Sequence, residues 1–529
     1  MKNMNQYQIQ FEPDGKKITV HRGETILEAA ARAGIIINTP CGGKGVCKKC
    51  IVELQPSRKR VCACQYGIEE DLFVKIPARS RFFEHKILTK GLETELICEP
   101  DVYKKYLTSS SEKKNLGLAV DIGTTTVVVK LVDMISGSTL STNAALNPQV
   151  KYGDNVVSRI SYADTQEKLT ELHKQIIGCI NDLTTAICKK YDCRQQDIFE
   201  ACAVGNTAMN HIFLKLPVQQ LGIAPYKPAQ YQACTKKPRE IPVAMNSAGS
   251  IYTPPNIAGF VGSDIIAVAL AADIDGFSEN SLIIDIGTNG ELLLAKDDKI
   301  YAASCAAGPA LEGAGISCGS RAAEGAIEAV YVNQNDIDFD VIGSVEPTSI
   351  CGSGLLDAAA ILADLGIIDS TGRFVEREKL AHLDDAITSR ISKMDNQTVF
   401  LLAENNGEKI YVSQADIRQI QLAKAAVRAG IHFLQQKLEI KQSEIKHVYV
   451  AGAFGNYINL ESAQKIGLLP NVPEQVFHFI GNAAATGAQM MLLCSEYRKK
   501  AENLANKIEY VEIAYEKSFE IVFAQSMAF

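Results

Sequence analysis

A chain of 529 residues, 47% apolar and 22% charged, has the length for several domains and the make-up of ordinary globular cores. Its net charge of −7 comes with no block of about five or six like charges, which argues against a nucleic-acid-binding surface, and no stretch reaches ~18 consecutive apolar residues, so no membrane span is expected. The opening MKNMNQYQIQFEPDGKKITV lacks a signal-like apolar run, and most of the 15 cysteines stand alone in apolar contexts, as Cys202 and Cys494 do; a cytoplasmic chain with free buried thiols is expected.

Residues 7–35, YQIQFEPDGKKITVHRGETILEAAARAGI, read as strand, turn, strand and helix, with PDGKK as the turn and Gly34 as the helix stop. Next comes TPCGGKGVCKKC, where Cys41, Cys47 and Cys50 stand in a Cys-x5-Cys-x2-Cys pattern among glycines. CIVELQ reads as a strand, PSRKR as a turn and VCACQYGIEEDLFVKIP as two more strands; it holds Cys62 and Cys64, which strand alternation places on one face. Thiolates at such intervals bind zinc or an iron–sulfur cluster. Zinc sites show two separated Cys-x2-Cys knuckles, and this chain has one, preceded by glycines. A loop around a [2Fe–2S] cluster needs those glycines, because backbone N–H groups turn inward to the sulfurs at positive φ. A [2Fe–2S] cluster is therefore the first reading, zinc the second and unrelated thiols the third. Lys44, Lys48, Lys49, Arg58, Lys59 and Arg60 surround the loop in sequence, either as a solvated rim or as a docking surface for an acidic electron donor.

Residues 79–115 lack periodicity and end in a Ser/Lys run, which reads as a linker. Beyond it an internal repeat appears: LGLAVDIGTTTVVVKLVD from Leu116 and SLIIDIGTNGELLLAKDD from Ser281. Each is strand, Asp-Ile-Gly-Thr, strand. Gly123 and Gly287 are expected to let backbone N–H groups approach an anion; Thr124, Thr125, Thr288 and the neighbouring Asn289 can serve phosphate oxygens; Asp121 and Asp285 can hold Mg²⁺. ACAVGNTAMNHIF reads as strand, a turn at Gly205, Asn206 and Thr207, then a helix whose N-terminus suits an anion; His211 on it reads as a packing residue. Asp264 in GFVGSDIIAVALAA stands at a helix start, as an N-cap or as the group that orients a nucleophilic water. AAGPALEGAGISCGSRAAEGAIEAV reads as a glycine-rich loop leading into a helix, and SICGSGLLDAAAIL as a turn through Gly352 and Gly354 into another. Residues 414–440 form a long amphipathic helix whose Lys424 and Arg428 need only ordinary packing. It is expected to lie beside the last glycine turn, IKHVYVAGAFGNYI, with Gly452, Ala453, Phe454 and Gly455; no Walker A sequence occurs.

These motifs carry two resemblances. Residues 5–78 resemble the β-grasp ferredoxin domain, which implies Cys41, Cys47, Cys50 and Cys64 as ligands, Cys64 standing in the ACQ position with Cys62 as its competitor. Only thirteen residues separate Cys50 from Cys64, fewer than is usual in that fold. The two DIGT hairpins and the AGAFG turn resemble the ATPase superfamily of acetate kinase, sugar kinases, Hsp70 and actin, an α/β fold in which two RNase-H-like halves enclose ATP. That resemblance makes the DIGT loops phosphate loops, sets Gly452 to Gly455 against the adenosine, and starts the second half near 281. The expected organisation is a [2Fe–2S] domain over 1–78, a linker over 79–115 and an actin-like ATPase over 116–529.

The combination resembles the reductive activators of corrinoid proteins, on CGGKGVCKKC, ACQ, AVDIGTTT, NPQVKYGDNVVSRI, VGNTAMNH, IDIGTNGELLL, AAGPALEG, ICGSGLLDA and AGAFGNYI. The resemblance implies an ATP-hydrolysing enzyme that returns the Co(II) corrinoid of a methyl-carrier protein to Co(I) with one electron from its cluster. A plant-type [2Fe–2S] centre sits near about −400 mV. Each ~59 mV of one-electron deficit costs tenfold, so ATP is needed to reach a lower-potential acceptor. A low-potential donor such as a ferredoxin or flavodoxin, and a homodimer, are further expectations from the family. Residues 304–320 and NPQVKYGDN are the candidate partner surfaces. The rival readings are an ATPase or small-molecule kinase with an iron–sulfur sensor, a nucleotide-gated scaffold, and an activator of another low-potential enzyme.

Overall fold

The computed structural model describes residues 6–12, 15–33, 35, 37, 45, 50–76, 115–152, 155–274, 279–287, 289–313, 315–320, 322–394, 396–405, 407–452 and 458–529. The linker expected over 79–115 lies outside these except for Asn115, as do Gly34, Cys41 and Cys47.

The N-terminal sheet holds β1 (Gln6–Glu12), β2 (Lys16–His21), β3 (Ile51–Gln55), β4 (Lys59–Cys62) and β5 (Leu72–Lys75), with α1 (Ile26–Arg32) across it. Its order is β2-β1-β5-β3-β4. Alternation along β1 turns Ile9 and Phe11 into a core shared with Ile26, Ala29 and Ala30 of α1. Thr25 and Glu28 close the start of α1 reciprocally: Glu28 N–H donates to Thr25 Oγ1 (3.2 Å) and Thr25 N–H to Glu28 Oε2 (2.8 Å). The turn before β4 is shorter than the sequence indicates, since Lys59 and Arg60 already belong to the strand. Cys62 and Cys64 are not alternating residues of one strand: β4 ends at Cys62, and Cys64 lies in the turn that follows.

The rest of the chain is built around two six-stranded sheets with the same plan, accompanied by two three-stranded sheets. The first holds β6 (Leu116–Ile122), β7 (Thr126–Asp133), β8 (Thr139–Leu146), β9 (Ile198–Gly205), β10 (Cys234–Lys236) and β11 (Ser250–Thr253), flanked by α2 (Val156–Tyr162), α3 (Gln166–Tyr191), α4 (Thr207–Phe213) and α5 (Ser263–Ala271). The second is laid down by β12 (Ser281–Ile286), β13 (Gly290–Lys296) and β14 (Lys299–Cys305). After β14 come β15 (Ala326–Asn333), β16 (Asp336–Val341), β17 (Ser349–Ile350), α6 (Gly352–Asp364), β18 (Ile391–Met394), β19 (Gln397–Asn405), β20 (Glu408–Ser413) and α7 (Gln414–Leu438). The sheet resumes with β21 (His447–Ala451), β22 (Phe477–Gly481), α8 (Ala483–Leu493), α9 (Ser495–Lys507) and β23 (Ile508–Tyr510), and α10 (Phe519–Ser526) follows. The orders are β10-β11-β9-β6-β7-β8 and β22-β21-β12-β13-β14-β23. In both, an antiparallel hairpin triplet is continued on its first strand by parallel strands. The sequence repeat is thus a fold repeat, and the two DIGT turns occupy equivalent strand ends.

The glycine-rich loop from Ala306, read from sequence as leading into a helix, leads instead into β15. Buried Ala326, Ile327 and Val330 face the core, and Gln334 at φ 55 closes the hairpin to β16. The helix read after SIC begins at Gly352 itself, and a Cβ on Gly354 would meet Ile327 O at 2.5 Å. Lys424 on α7 is fully buried: its ammonium donates to Ser526 O (2.9 Å) and Ala528 O, so this helix is tied to α10, and its Gly430 lies against Leu292 of β13.

The second half reaches into the first through α8 and α9. Glu200 on β9 meets Arg498 on α9 at 2.9 Å, their side chains 1% and 13% exposed. The guanidinium also donates to Met491 O (2.7 Å) and lies 4.4 Å from the Tyr252 ring centroid, while Ser250 Oγ donates to the other Glu200 oxygen (2.7 Å). Burial still holds the Glu200 carboxyl above its ordinary range, against the pull of Arg498. Arg498→Ala leaves that carboxylate uncompensated and is expected to cost about 3–5 kcal/mol, read as an earlier urea midpoint; Glu200→Met with Arg498→Met together should recover most of the loss.

Candidate functional site

Asp121 and Asp285 end β6 and β12, and Asp264 lies in the first turn of α5. Glu291 on β13 sits directly opposite Asp285 in the antiparallel register. The charges of these four carboxyls act on one another, so they gather where the two halves meet. Burial first, then the charges of Asp285 and Asp121, push Asp264 up to about 7, and burial, then Asp121, pushes Asp285 up to about 7. Burial raises Asp121 to about 6, opposed by Asn482, whose Nδ2 donates to Asp121 Oδ2 (2.8 Å). Glu291 is raised well above its ordinary value by burial and by Asp264 and Asp285. Lys130, itself lowered by burial, pulls Asp121 the other way and donates to Thr486 Oγ1 (3.3 Å). Among the described residues no three acidic, His or Cys side chains converge tightly enough to hold a metal by themselves. An all-oxygen set of this kind suits a hard cation that keeps several waters and is completed by phosphate oxygens.

Gly123 N–H donates to Thr126 O (3.0 Å) and Gly287 N–H to Asn289 O (3.2 Å), so these two N–H groups are used inside their own turns. A Cβ on Gly123 would meet Thr126 O at 2.6 Å, which is why the turn needs glycine. Thr124 Oγ1 accepts from Asn206 Nδ2 (2.9 Å), and Asn206 also caps α4; Thr124 O accepts from the fully buried Arg159 of α2. Thr125 O accepts from Asn147 N–H (2.8 Å). Gly205 packs against Ile122 O, where a Cβ would come within 2.7 Å. Thr207 is buried and its hydroxyl donates to Ala258 O. Asp264 is not an N-cap: Gly262 holds that place, and Asp264 Oδ1 accepts from Ile265 N–H (2.9 Å). His211 is a packing residue as read, with Nδ1 at Thr207 O (2.7 Å) and Nε2 accepting from Ala229 N–H (2.9 Å). Thr288, Ala453, Phe454 and Gly455 lie outside the described residues.

Gly452 stands at φ +90 against the second DIGT turn; a Cβ there would lie 2.7 Å from Ile286 O and 2.8 Å from Asp285 Oδ1. Gly452→Ala is expected to lower ATP hydrolysis at least ~10-fold and to cost about 1–3 kcal/mol of stability, checked by phosphate release and thermal melting.

In the N-terminal sheet, Cys50 and Cys64 are 1% and 7% exposed and their Sγ atoms stand 3.2 Å apart. A disulfide would bring them to ~2.05 Å, whereas two sulfurs each ~2.3 Å from one metal lie within ~4.6 Å of each other. Burial pushes the Cys50 thiol up to about 12, against a backbone N–H from Cys64 that favours the thiolate. Cys62 is only half-buried and sits opposite Ile51 at the end of β4. Gly45, in the cysteine loop, is at φ +76 beside Gln65. The thiol pair fits a thiolate-ligated metal centre. Cys41 and Cys47 lie outside the described residues, as do Lys44, Lys48 and Lys49, while Arg58, Lys59 and Arg60 are exposed on and before the edge strand β4.

A curated relative from Eubacterium limosum, the corrinoid activation enzyme RamQ, is 33% identical over an alignment of 575 positions that takes in 95% of this chain and 96% of the relative. The chain belongs to the reductive activators of corrinoid proteins. A solved reductive activator for corrinoid, iron–sulfur protein is 30% identical and superposes with a TM-score of 0.73 over 99% of this chain and 98% of its own. A [Co(II) methylated amine-specific corrinoid protein] reductase from Methanosarcina barkeri is 26% identical over 74% of this chain and 72% of its own length. Three family models divide the activator: a 2Fe-2S iron-sulfur cluster binding domain at residues 6–77, the RACo middle region at 116–276, and the C-terminal domain of RACo, the ASKHA domain, at 279–529.

Four site residues of this activator escape the sequence reading: Lys130, Arg159, Glu291 and Asn482. Asn482 was signalled, since IGNAAA after β22 repeats the VGNTAM that follows β9. Glu291 is visible only once the hairpin register sets it opposite Asp285.

Proposed function

We propose that this activator passes one electron from an N-terminal [2Fe–2S] cluster to the Co(II) corrinoid of a methyl-carrier protein, giving Co(I), and couples the transfer to ATP hydrolysis between its two halves. The observation that carries the reading is the presence, in one chain matched end to end by a corrinoid activation enzyme, of a buried thiol pair and a twice-built acidic cleft. When bound, the cluster supplies one-electron transfer; Cys41, Cys47, Cys50 and Cys64 would hold it. Asp121, steadied by Asn482, and Asp285 would hold Mg²⁺ through its waters against the phosphates of ATP. Asp264, which keeps its proton until about pH 7, stands where it can accept one from an attacking water. Gly452 leaves the second phosphate turn open to the nucleotide. Closure of the halves on ATP changes the surface offered to the carrier, favouring the corrinoid state that is easier to reduce. Residues 304–320, a low-potential ferredoxin or flavodoxin as donor, a homodimer and a cytoplasmic setting complete the proposal.

The test is anaerobic. The chain, reduced by a low-potential donor, is mixed with a Co(II) corrinoid carrier and its visible spectrum followed with and without Mg·ATP. Growth of the Co(I) band only with ATP is the expected result. Hydrolysis of ATP with cobalt left as Co(II) would turn the reading toward an ATPase or small-molecule kinase with an iron–sulfur sensor.

A further inference from the structure

Gln65 follows Cys64 in the turn after β4, and its side chain folds back on that cysteine. Its Nε2 donates to Cys64 O at 3.1 Å and reaches Cys64 Sγ at 3.7 Å. The carbonyl contact fixes which end of the amide is the donor, so an N–H is directed at the sulfur. Gly45 makes the space for it: a Cβ there would lie 2.8 Å from Gln65 Cγ and 2.9 Å from Cδ. The backbone of Gln65 is held as well, its N–H donating to Cys62 O (3.0 Å).

We infer that Gln65 is a positioning residue that tunes the reduction potential of the cluster by donating a hydrogen bond to the Cys64 sulfur; this rests on the reading of Cys64 as a cluster ligand. Reduction adds one negative charge, spread over iron and sulfur. A donor aimed at a ligand sulfur stabilises the charge-rich reduced state more than the oxidised one, and so raises the potential. The acceptor end of the bond is shielded, because Cys64 is 7% exposed and Cys50, 3.2 Å away, is 1% exposed, while Gln65 itself is an exposed residue. The consequence for turnover has two sides. A higher potential eases loading from the donor. It also leaves a larger uphill step to cobalt, the step that ATP hydrolysis serves.

The experiment is an EPR-monitored redox titration of the anaerobically purified full-length chain, with iron content measured on each sample. Gln65→Leu keeps the bulk and removes the donor. At a fixed poise near the wild-type midpoint its reduced-to-oxidised ratio is expected to fall about 3- to 10-fold, the upper end being ~59 mV for one electron. Gly45→Ala, which crowds the amide away while leaving Gln65 in place, is expected to move the ratio the same way. Equal midpoints in wild type and Gln65→Leu, at equal iron content, overturn the inference. A Gln65→Leu chain that does not fold hands the decision to Gly45→Ala, whose unchanged midpoint overturns it equally. A wild-type chain that carries no [2Fe–2S] signal overturns the cluster reading itself, a result distinct from a cluster whose potential ignores Gln65.

Discussion

Replacing Asp285 by asparagine is expected to slow ATP hydrolysis by about 10²–10³-fold and, at the same time, to raise the thermal midpoint of the nucleotide-free chain. Both effects come from one arrangement. Asp285 faces Glu291 across the β12–β13 hairpin and feels Asp121 across the cleft, so the second DIGT turn ends among like charges. With a cation and phosphate in the cleft those charges are compensated. Without them they repel. Burial and repulsion move the Asp285 carboxyl from an ordinary 3.8 up to about 7. The folded chain therefore binds more protons than the unfolded one between about pH 4 and 7. Stability falls as pH rises through that window, and the loss is complete above it. Asp264 adds to the same trend. The metal-free wild type is expected to melt progressively lower from pH 5.5 to 8, and Asp285→Asn to melt about 2–4 °C above it at pH 8, with a flatter pH profile. A flat wild-type profile, or full hydrolysis by the variant, would sink the assignment of Asp285 to the nucleotide's cation.

How much of this was legible from the residues differs by level. The fold was legible because its signal is repeated: two apolar strands, each closed by Asp-Ile-Gly-Thr, predict two equivalent sheets, and β6–β7 and β12–β13 are equivalent. The helix expected after the glycine-rich loop was misread. Residues 326–330 carry Ala and Glu, good helix formers, but their partner is β16, and pairing outweighed propensity. At the site, residue types foretold which elements meet and not how each polar group is spent. The N–H groups of Gly123 and Gly287 are consumed inside their turns, and the hydroxyl of Thr207 is turned to Ala258 O. Such choices depend on partners distant in sequence. Asn482 lies 361 positions from the Asp121 it contacts, and Arg159 35 from Thr124. No local pattern encodes those distances.

The fourth thiol is where sequence left two candidates open, and there the expected result is sharp. Cys64→Ser should purify without the [2Fe–2S] absorbance and without ATP-dependent formation of Co(I), while its ATP hydrolysis stays within about twofold of wild type. Cys62→Ser should keep cluster and reduction. Strand alternation treats the two alike, but the backbone does not. β4 stops at Cys62, whose half-buried side chain lies beside the edge of the sheet. The chain then turns; Ala63 N–H donates to Cys50 O (2.8 Å) and Leu27 N–H to Ala63 O (3.0 Å), and this brings Cys64 beneath Cys50. The two sulfurs end 3.2 Å apart in the core. Serine offers a hard hydroxyl in place of a soft thiolate and would not hold iron there. Hydrolysis survives because Asp121 and Asp285 sit on two sheets separate from the one that carries the thiols. Loss of the cluster in Cys62→Ser with its retention in Cys64→Ser would reverse the assignment, and would also remove the sulfur to which Gln65 donates from the cluster's ligands.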